Sequence, residues 1–549
     1  MSTSVGSSSA AGGVRVRESF AGRKAFILTA IGSAVGLGNI WRFPYITYEN
    51  GGGAFLIPYL IALLTAGIPI LLFDYAVGHK FRGSPPMAFK RLHPGAEVIG
   101  WFQVGICFLI SIYYAAIIAW AASYTWFSLS QAWGDDAEGF FFAEYLEYDG
   151  GGAEGAGLSV DFVAQVGWPL IAVWVLLLVC LAIGVRRGIA TVSLIGMPVL
   201  FVMFAILVGY SLTLEGAADG LNALFTPDWG ALTDATVWIQ AYGQIFFSLS
   251  VGFGIMVTYA SYLKRRSNST GSGLVVGFAN SSFEMLAAIG VFAALGFLAM
   301  AANTAVDEVV SSGLGLAFVA FPTIISEAPA SALVGVLFFG SLTIAGFTSQ
   351  ISILEVVISS VKDKTGWSRG LTVAVVGGSS AIVSIVLVGG VSGVTILDTV
   401  DAFSNNIGIV GGAFVAVLLV AWVFRRLDVL AAGLNAYGSF KVGPVWKTLI
   451  GIVMPVVLGV LLYMDISDKV AEGYGGFDTW VVATFGWGSL ALVIVLSVVL
   501  TLAPWSSRSA MSMEDPDIDE DNYDELVGSG GVRRTGPAAA SSDVEGDGR

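Results

Sequence analysis

Gly32-Ser33-Ala34-Val35-Gly36-Leu37-Gly38-Asn39, running on into Ile40-Trp41-Arg42-Phe43-Pro44, decides how this chain is read. The stretch lies inside an apolar run that begins near Lys24 and is long enough to cross a bilayer. A glycine costs about 1 kcal/mol relative to alanine at an interior helix position, so Gly32, Gly36 and Gly38 together weaken the helix at its middle. In lipid such a break survives only where the freed backbone groups line a cavity or are buried in protein. Asn39 and Arg42 add polarity and charge at membrane depth, where both are expensive. A spanning helix interrupted at mid-membrane is what a site for an ion and a solute requires.

The surrounding composition agrees. Of 549 residues 56% are hydrophobic and 12% charged, against about 25% charged in soluble globular proteins. Twelve stretches approach or exceed the roughly 20 residues needed to cross the hydrocarbon core: 24–46, 54–79, 98–129, 167–185, 190–214, 236–263, 274–302, 331–360, 371–391, 396–424, 446–464 and 480–503. All Lys and Arg except Arg42 and Lys469 fall before the first span, in alternate connections, or after the last. The positive-inside rule then puts both termini in the cytoplasm of a multi-pass plasma-membrane protein. The opposite side is acidic: residues 131–166 hold eight Asp and Glu and no Lys or Arg. With the acidic tail after Met513, this balance points to a high-salt organism, although an acidic surface also aids solubility alone. Cys107 and Cys180 both fall inside spans, so no loop disulfide is expected, and His79 and His93 make no metal cluster. Residues 1–14 and about 505–549 read as disordered flanks of a transporter domain at 15–504.

A second interruption follows five spans later, at Ser248-Leu249-Ser250-Val251-Gly252-Phe253-Gly254. Glycines in membrane helices are often only close-packing positions. Two clusters in matching positions of two five-span halves, each beside polar residues, point instead to a binding site between repeats. Half-helix N-termini present N–H groups to a carboxylate, and unwound carbonyls suit a sodium ion.

On these residues, with Glu49-Asn50-Gly51-Gly52-Gly53-Ala54-Phe55-Leu56-Ile57-Pro58-Tyr59 and Gly243-Gln244-Ile245-Phe246-Phe247-Ser248-Leu249-Ser250, the chain resembles the neurotransmitter:sodium symporter family. The likeness is to its prokaryotic, leucine-transporter-like amino-acid transporters and covers roughly residues 15–505. It implies an all-α membrane protein of twelve helices. These form an inverted five-plus-five repeat (about 24–214 and 236–424) with helices 1 and 6 broken, followed by two more helices (about 446–503). It also implies sodium-coupled import of a neutral, aliphatic amino acid, with no enzyme activity and no nucleic acid as partner. The lipid bilayer is the other partner, and a homodimer is left open.

Site residues follow from the resemblance. One Na+ would be held by Ala34, Asn39, Ser248, Asn280 and the substrate carboxylate; a second by Gly32, Val35, Ala345, Thr348 and Ser349. The carboxylate would meet N–H groups near Leu37 and Gly38 and the Tyr114 hydroxyl. The side chain would rest among Ile110, Phe247, Ser250, Phe253, Ser349 and Ile353, a box without charge that disfavours a basic or acidic side chain. Arg42 and Asp401 would form the outer gate, with Phe253 beneath. Arg17 and Asp363 would form the inner gate, where Phe20 replaces the family's usual tryptophan. Glu284, one turn beyond Asn280, would supply the negative charge that chloride supplies in relatives with serine there, so no chloride requirement is expected. Asp74 and Glu355 are intramembrane acids without a comparable assignment. Two rival readings stay open: another small zwitterion or osmolyte, or proton coupling, on the same scaffold; and an amino-acid receptor that does not transport.

Overall fold

The protein is described by a computed structural model covering residues 18–510 except 154, 311 and 312; at Arg508 and Ala510 only the backbone is described. Among the described residues the only β-structure is two isolated bridges. The helices that matter here are α1 (Arg23–Ala34), α2 (Leu37–Glu49), α3 (Gly52–Phe81), α4 (Pro85–Leu92), α5 (Glu97–Phe127), α6 (Ala164–Ile183) and α7 (Val185–Ser211). They continue with α8 (Ala235–Ser248), α9 (Ile255–Ala260), α10 (Ser269–Ala302), α11 (Ser331–Thr365), α12 (Arg369–Val388), α13 (Gly393–Val423), α14 (Pro444–Ala471) and α15 (Thr479–Leu502).

Ten of these are long and apolar enough to cross a membrane, and α1 with α2 passes the same test as one span bent by 56°. α6, α7 and α15 expose Leu176, Val179, Ile195, Val202, Leu492 and Val495. Such a surface would be an aggregation hazard in water; in a bilayer it matches the solvent.

At both glycine-containing stretches the described backbone leaves the helical conformation. α1 stops at Ala34, Val35 turns extended (ψ 101°), and α2 restarts after an extended Gly36. The Gly36 N–H donates to Asn39 Oδ1 at 2.9 Å and so does not return to the Gly32 carbonyl. The second break separates α8 from α9, with Ser250, Gly252 and Gly254 at φ 52°, 83° and 90°. Left-handed backbone costs a non-glycine residue about 1–2 kcal/mol; Ser250 is held there by its hydroxyl, which donates to the Ser33 carbonyl at 2.9 Å. Around the breaks, α5 runs along α11, α1 packs on α7, α2 on α10 and α9 on α3.

The end of the bundle where the chain enters is tied by buried charge. Phe20 is buried and packs edge-on against Phe26, Tyr259 and Tyr262 at 5.8–6.0 Å. Its N–H donates to the Tyr262 carbonyl at 3.2 Å, so this residue is fixed through its backbone as well as its ring. Glu355 takes Arg369 in a two-pronged pair (3.1 and 2.6 Å) and the Tyr262 hydroxyl at 2.6 Å. Arg369 reaches on to Glu18, which Lys362 also meets at 3.0 Å. Trp505, expected to begin a disordered tail, is instead seated: its indole donates to buried Glu97 at 2.9 Å beside Lys364 and Lys90. The expected disordered segments 1–14 and 511–549 lie outside the described residues.

Candidate functional site

The two breaks face each other across a cavity of about 220 Å³. Its wall includes all ten residues expected to meet a substrate: Ala34, Leu37, Gly38, Ile110, Tyr114, Phe247, Ser250, Phe253, Ser349 and Ile353. Local chemistry sets their positions. A Cβ on Gly38 would lie 2.5 Å from Phe247 Cε1, so only glycine lets that ring close on the start of α2. The Leu37 N–H points at the Tyr114 hydroxyl from 3.5 Å, which places a helix N-terminus and a phenol side by side, a pairing suited to an anion. The hydroxyls of Ser250 and Ser349 both donate to the Ser33 carbonyl, at 2.9 and 3.2 Å.

Beside the cavity runs a chain of amides. Asn39 Nδ2 donates to Asn280 Oδ1 at 2.9 Å, and Asn280 Nδ2 donates to Ser248 Oγ at 3.1 Å. A carbonyl oxygen has two lone pairs; Asn39 Oδ1 takes one N–H from Gly36 and Asn280 Oδ1 one from Asn39, so each keeps acceptor capacity. On the other side of α1, Thr348 Oγ1 donates to the Ala345 and Ile344 carbonyls, both at 3.1 Å. A Cβ on Gly32 would come within 3.4 Å of Thr348 Cβ, so the last turn of α1 and this part of α11 are in contact. Four of the second expected set, Gly32, Ala345, Thr348 and Ser349, therefore gather where α1 meets α11. Val35 stands at the break itself, its N–H bonded to the Ile31 carbonyl at 2.7 Å.

Glu284 is fully buried, accepts from Gln244 Nε2 at 2.6 Å and takes the Tyr59 hydroxyl. Gln244 is one turn before Ser248 and Glu284 one turn after Asn280, so the carboxylate flanks the amide chain. The expected outer gate pair makes no direct ion pair: Arg42 lies over the Phe247 ring at 4.6 Å, while Asp401 accepts from Asn405 Nδ2 at 2.7 Å. Of the inner pair, Arg17 lies outside the described residues, and Asp363 accepts the N–H of Ser84 at 3.0 Å. The cavity wall also holds Trp41, Tyr113, Leu314, Asp398 and Asn405, which the sequence reading did not single out. Asp398 was within reach of it, one helical turn before Asp401 on the same face of α13.

The model of the Sodium:neurotransmitter symporter family matches residues 17–144 and 134–507. The chain belongs to this family. An uncharacterised sodium-dependent transporter of Methanocaldococcus jannaschii is 39% identical over 485 residues, covering 88% of this chain and 97% of the relative. The human sodium- and chloride-dependent taurine transporter is 29% identical over 528 residues, covering 88% and 84%. Among solved structures, MhsT in complex with L-phenylalanine superposes with a TM-score of 0.69 at 33% identity, covering 82% of this chain and all of that one. This symporter is thus a multi-pass membrane transporter that depends on sodium, and not an enzyme.

Proposed function

We propose that the symporter couples entry of sodium to uptake of a neutral amino acid with an apolar, mainly aliphatic side chain, without need of chloride. Twelve crossings carry it, if α1 with α2 and α8 with α9 each count as one broken span, in two inverted repeats with both termini cytoplasmic. The observation that carries the reading is the convergence of both helix breaks, the amide chain and the ten wall residues on one cavity. Two sodium ions travel as cargo. The first takes oxygens of Ala34, Asn39, Ser248, Asn280 and the substrate carboxylate; the second those of Gly32, Val35, Ala345, Thr348 and Ser349. Sodium wants oxygen donors, and these hydroxyls and amides retain lone pairs after their internal bonds are counted. The apolar side chain rests on Ile110, Phe253 and Ile353, where a charged one would enter unpaired at a cost of several kcal/mol.

Arg42 and Asp401 close above the loaded site. The inner gate of Arg17 and Asp363 opens when they are closed. MhsT was solved with an aromatic amino acid, and the human relative carries taurine in its name, so both chemistries belong in the test. Proteoliposomes with an inward sodium gradient are challenged with alanine, leucine, methionine, phenylalanine, lysine, glutamate, taurine and betaine. Accumulation of the neutral apolar amino acids is expected. Equal competition by lysine or glutamate refutes the pocket assignment. Accumulation of taurine or betaine alone shifts the substrate to an osmolyte, and binding without accumulation makes the protein a receptor.

A further inference from the structure

We infer that Asp74, Gln103 and Cys107 are positioning residues that fix the substrate wall by gripping the unwound turn between α8 and α9. This rests on the proposed reading that Ser250 and Phe253 contact the cargo.

Residues 249–254 have three left-handed positions, so the turn cannot satisfy its backbone by helical bonds. Buried N–H and C=O groups must nevertheless be paired. Three side chains from neighbouring spans pair them. Asp74 on α3 accepts the Gly252 N–H at 3.0 Å. Gln103 on α5 donates to the Gly252 carbonyl at 2.9 Å. The Cys107 thiol, one turn further along α5, donates to the Phe253 carbonyl at 3.1 Å. Gly252 is thus held at both polar ends, and Phe253 is held at the carbonyl that follows its ring. Gln103, Cys107 and Ile110 lie on one stripe of α5; the first two grip the turn and the third lines the cavity.

Asp74 is 1% exposed, and among the described residues no Lys or Arg forms an ion pair with it. A carboxylate in so apolar a place is costly, and its one hydrogen bond goes to the turn. Its role requires an acceptor oxygen rather than a charge, and the role of Cys107 requires a donor hydrogen. Asp74→Asn and Cys107→Ser keep those atoms; Asp74→Ala and Cys107→Ala remove them.

Two readouts on the full chain in proteoliposomes test this. The first is the ratio of half-inhibiting concentrations of L-phenylalanine and L-alanine against sodium-driven uptake. Both alanine variants should move this ratio by about threefold, roughly half a decade in affinity, while the asparagine and serine variants leave it in place. A defect that merely lowers the amount of folded protein changes the maximal rate for both competitors and not their ratio. The second needs no substrate: alkylation of Cys107, which is free and fully buried, in a Cys180→Ser background. Asp74→Ala should speed it about tenfold by loosening the turn, and Asp74→Asn should not. Unchanged alkylation in Asp74→Ala overturns the grip whatever the uptake shows. Absence of sodium-driven uptake in the unmodified protein refutes the proposed function instead, and the alkylation result still decides the grip.

Discussion

Asn39 serves two bonds at once, accepting from Gly36 at the break and donating to Asn280 across the bundle. Removing it orphans one buried donor and one buried acceptor, each worth about 1–3 kcal/mol. Asn39→Ala should therefore weaken sodium binding by about thirtyfold or more, measured with radioactive sodium on protein that still elutes as a folded species. Unchanged sodium affinity would remove Asn39 from the ion site. Gly38 makes a different demand, because any side chain there meets the Phe247 ring. Gly38→Ala should push that ring, and Arg42 stacked on it, out of place. Substrate competition should then weaken by an order of magnitude or so, with little change in thermal stability. At this scale the sequence was informative wherever polarity interrupts an apolar span. Asn39, Asn280, Glu284 and Arg42 announce themselves because lipid makes each expensive. Leu314 and Trp41 do not, since an apolar residue on a cavity wall has the same pattern as one in the core. That Arg42 and Asp401 make no direct ion pair was also unreadable, because pairing depends on side-chain direction rather than spacing.

The elements were largely legible as apolar runs: nine helices fall within about five residues of the expected spans, and α14 runs on from the expected 464 to Ala471. α8 and α9 pass no test for a spanning helix alone, because the glycines that mark the site also cut the run in two. The tail was misjudged at Trp505 for a further reason: an indole seated on a buried carboxylate is a long-range contact, invisible in local composition. The same holds for Glu18, which joins the entering chain to α11 and α12 through Lys362 and Arg369. Burial pushes this carboxyl upward, but the two cations and the Val185 N–H outweigh it and bring it down from 4.5 to about 2. A depressed carboxylate contributes stability that is complete above its unfolded pKa and is lost as pH falls through the folded one. Glu18→Gln should accordingly lower the melting temperature at neutral pH, and its difference from the unmodified protein should shrink as pH falls from 4.5 toward 2. A difference constant across that window would show that the Glu18 charge holds nothing in place.

The whole molecule has to move sodium through a low-dielectric centre, and the charge balance there fixes its ionic requirements. Crossing 100 mV gives about 2.3 kcal/mol per charge. Two sodium ions with a zwitterion would gain about 4.6 kcal/mol, or over a thousandfold accumulation; one ion would give about fiftyfold from the potential alone. The accumulation ratio at a clamped potential with equal sodium on both sides therefore counts the ions. Two cations beside each other would need a compensating anion, and Glu284 stands next to Asn280 and Ser248, held by Gln244 and Tyr59. The human taurine relative is named for dependence on chloride as well as sodium. If Glu284 fills the place of that anion, replacing chloride by gluconate at constant sodium should leave uptake unchanged. Glu284→Ser leaves the Gln244 amide and the Tyr59 hydroxyl converging on an emptied anionic seat, so uptake should fail without chloride and return in part when chloride is restored. Total salt must be held constant in both arms, since a protein with a net charge of −14 responds to ionic strength through self-repulsion alone. Collapse of unmodified uptake in gluconate would mean that the carboxylate leaves the charge of the sodium ions unbalanced.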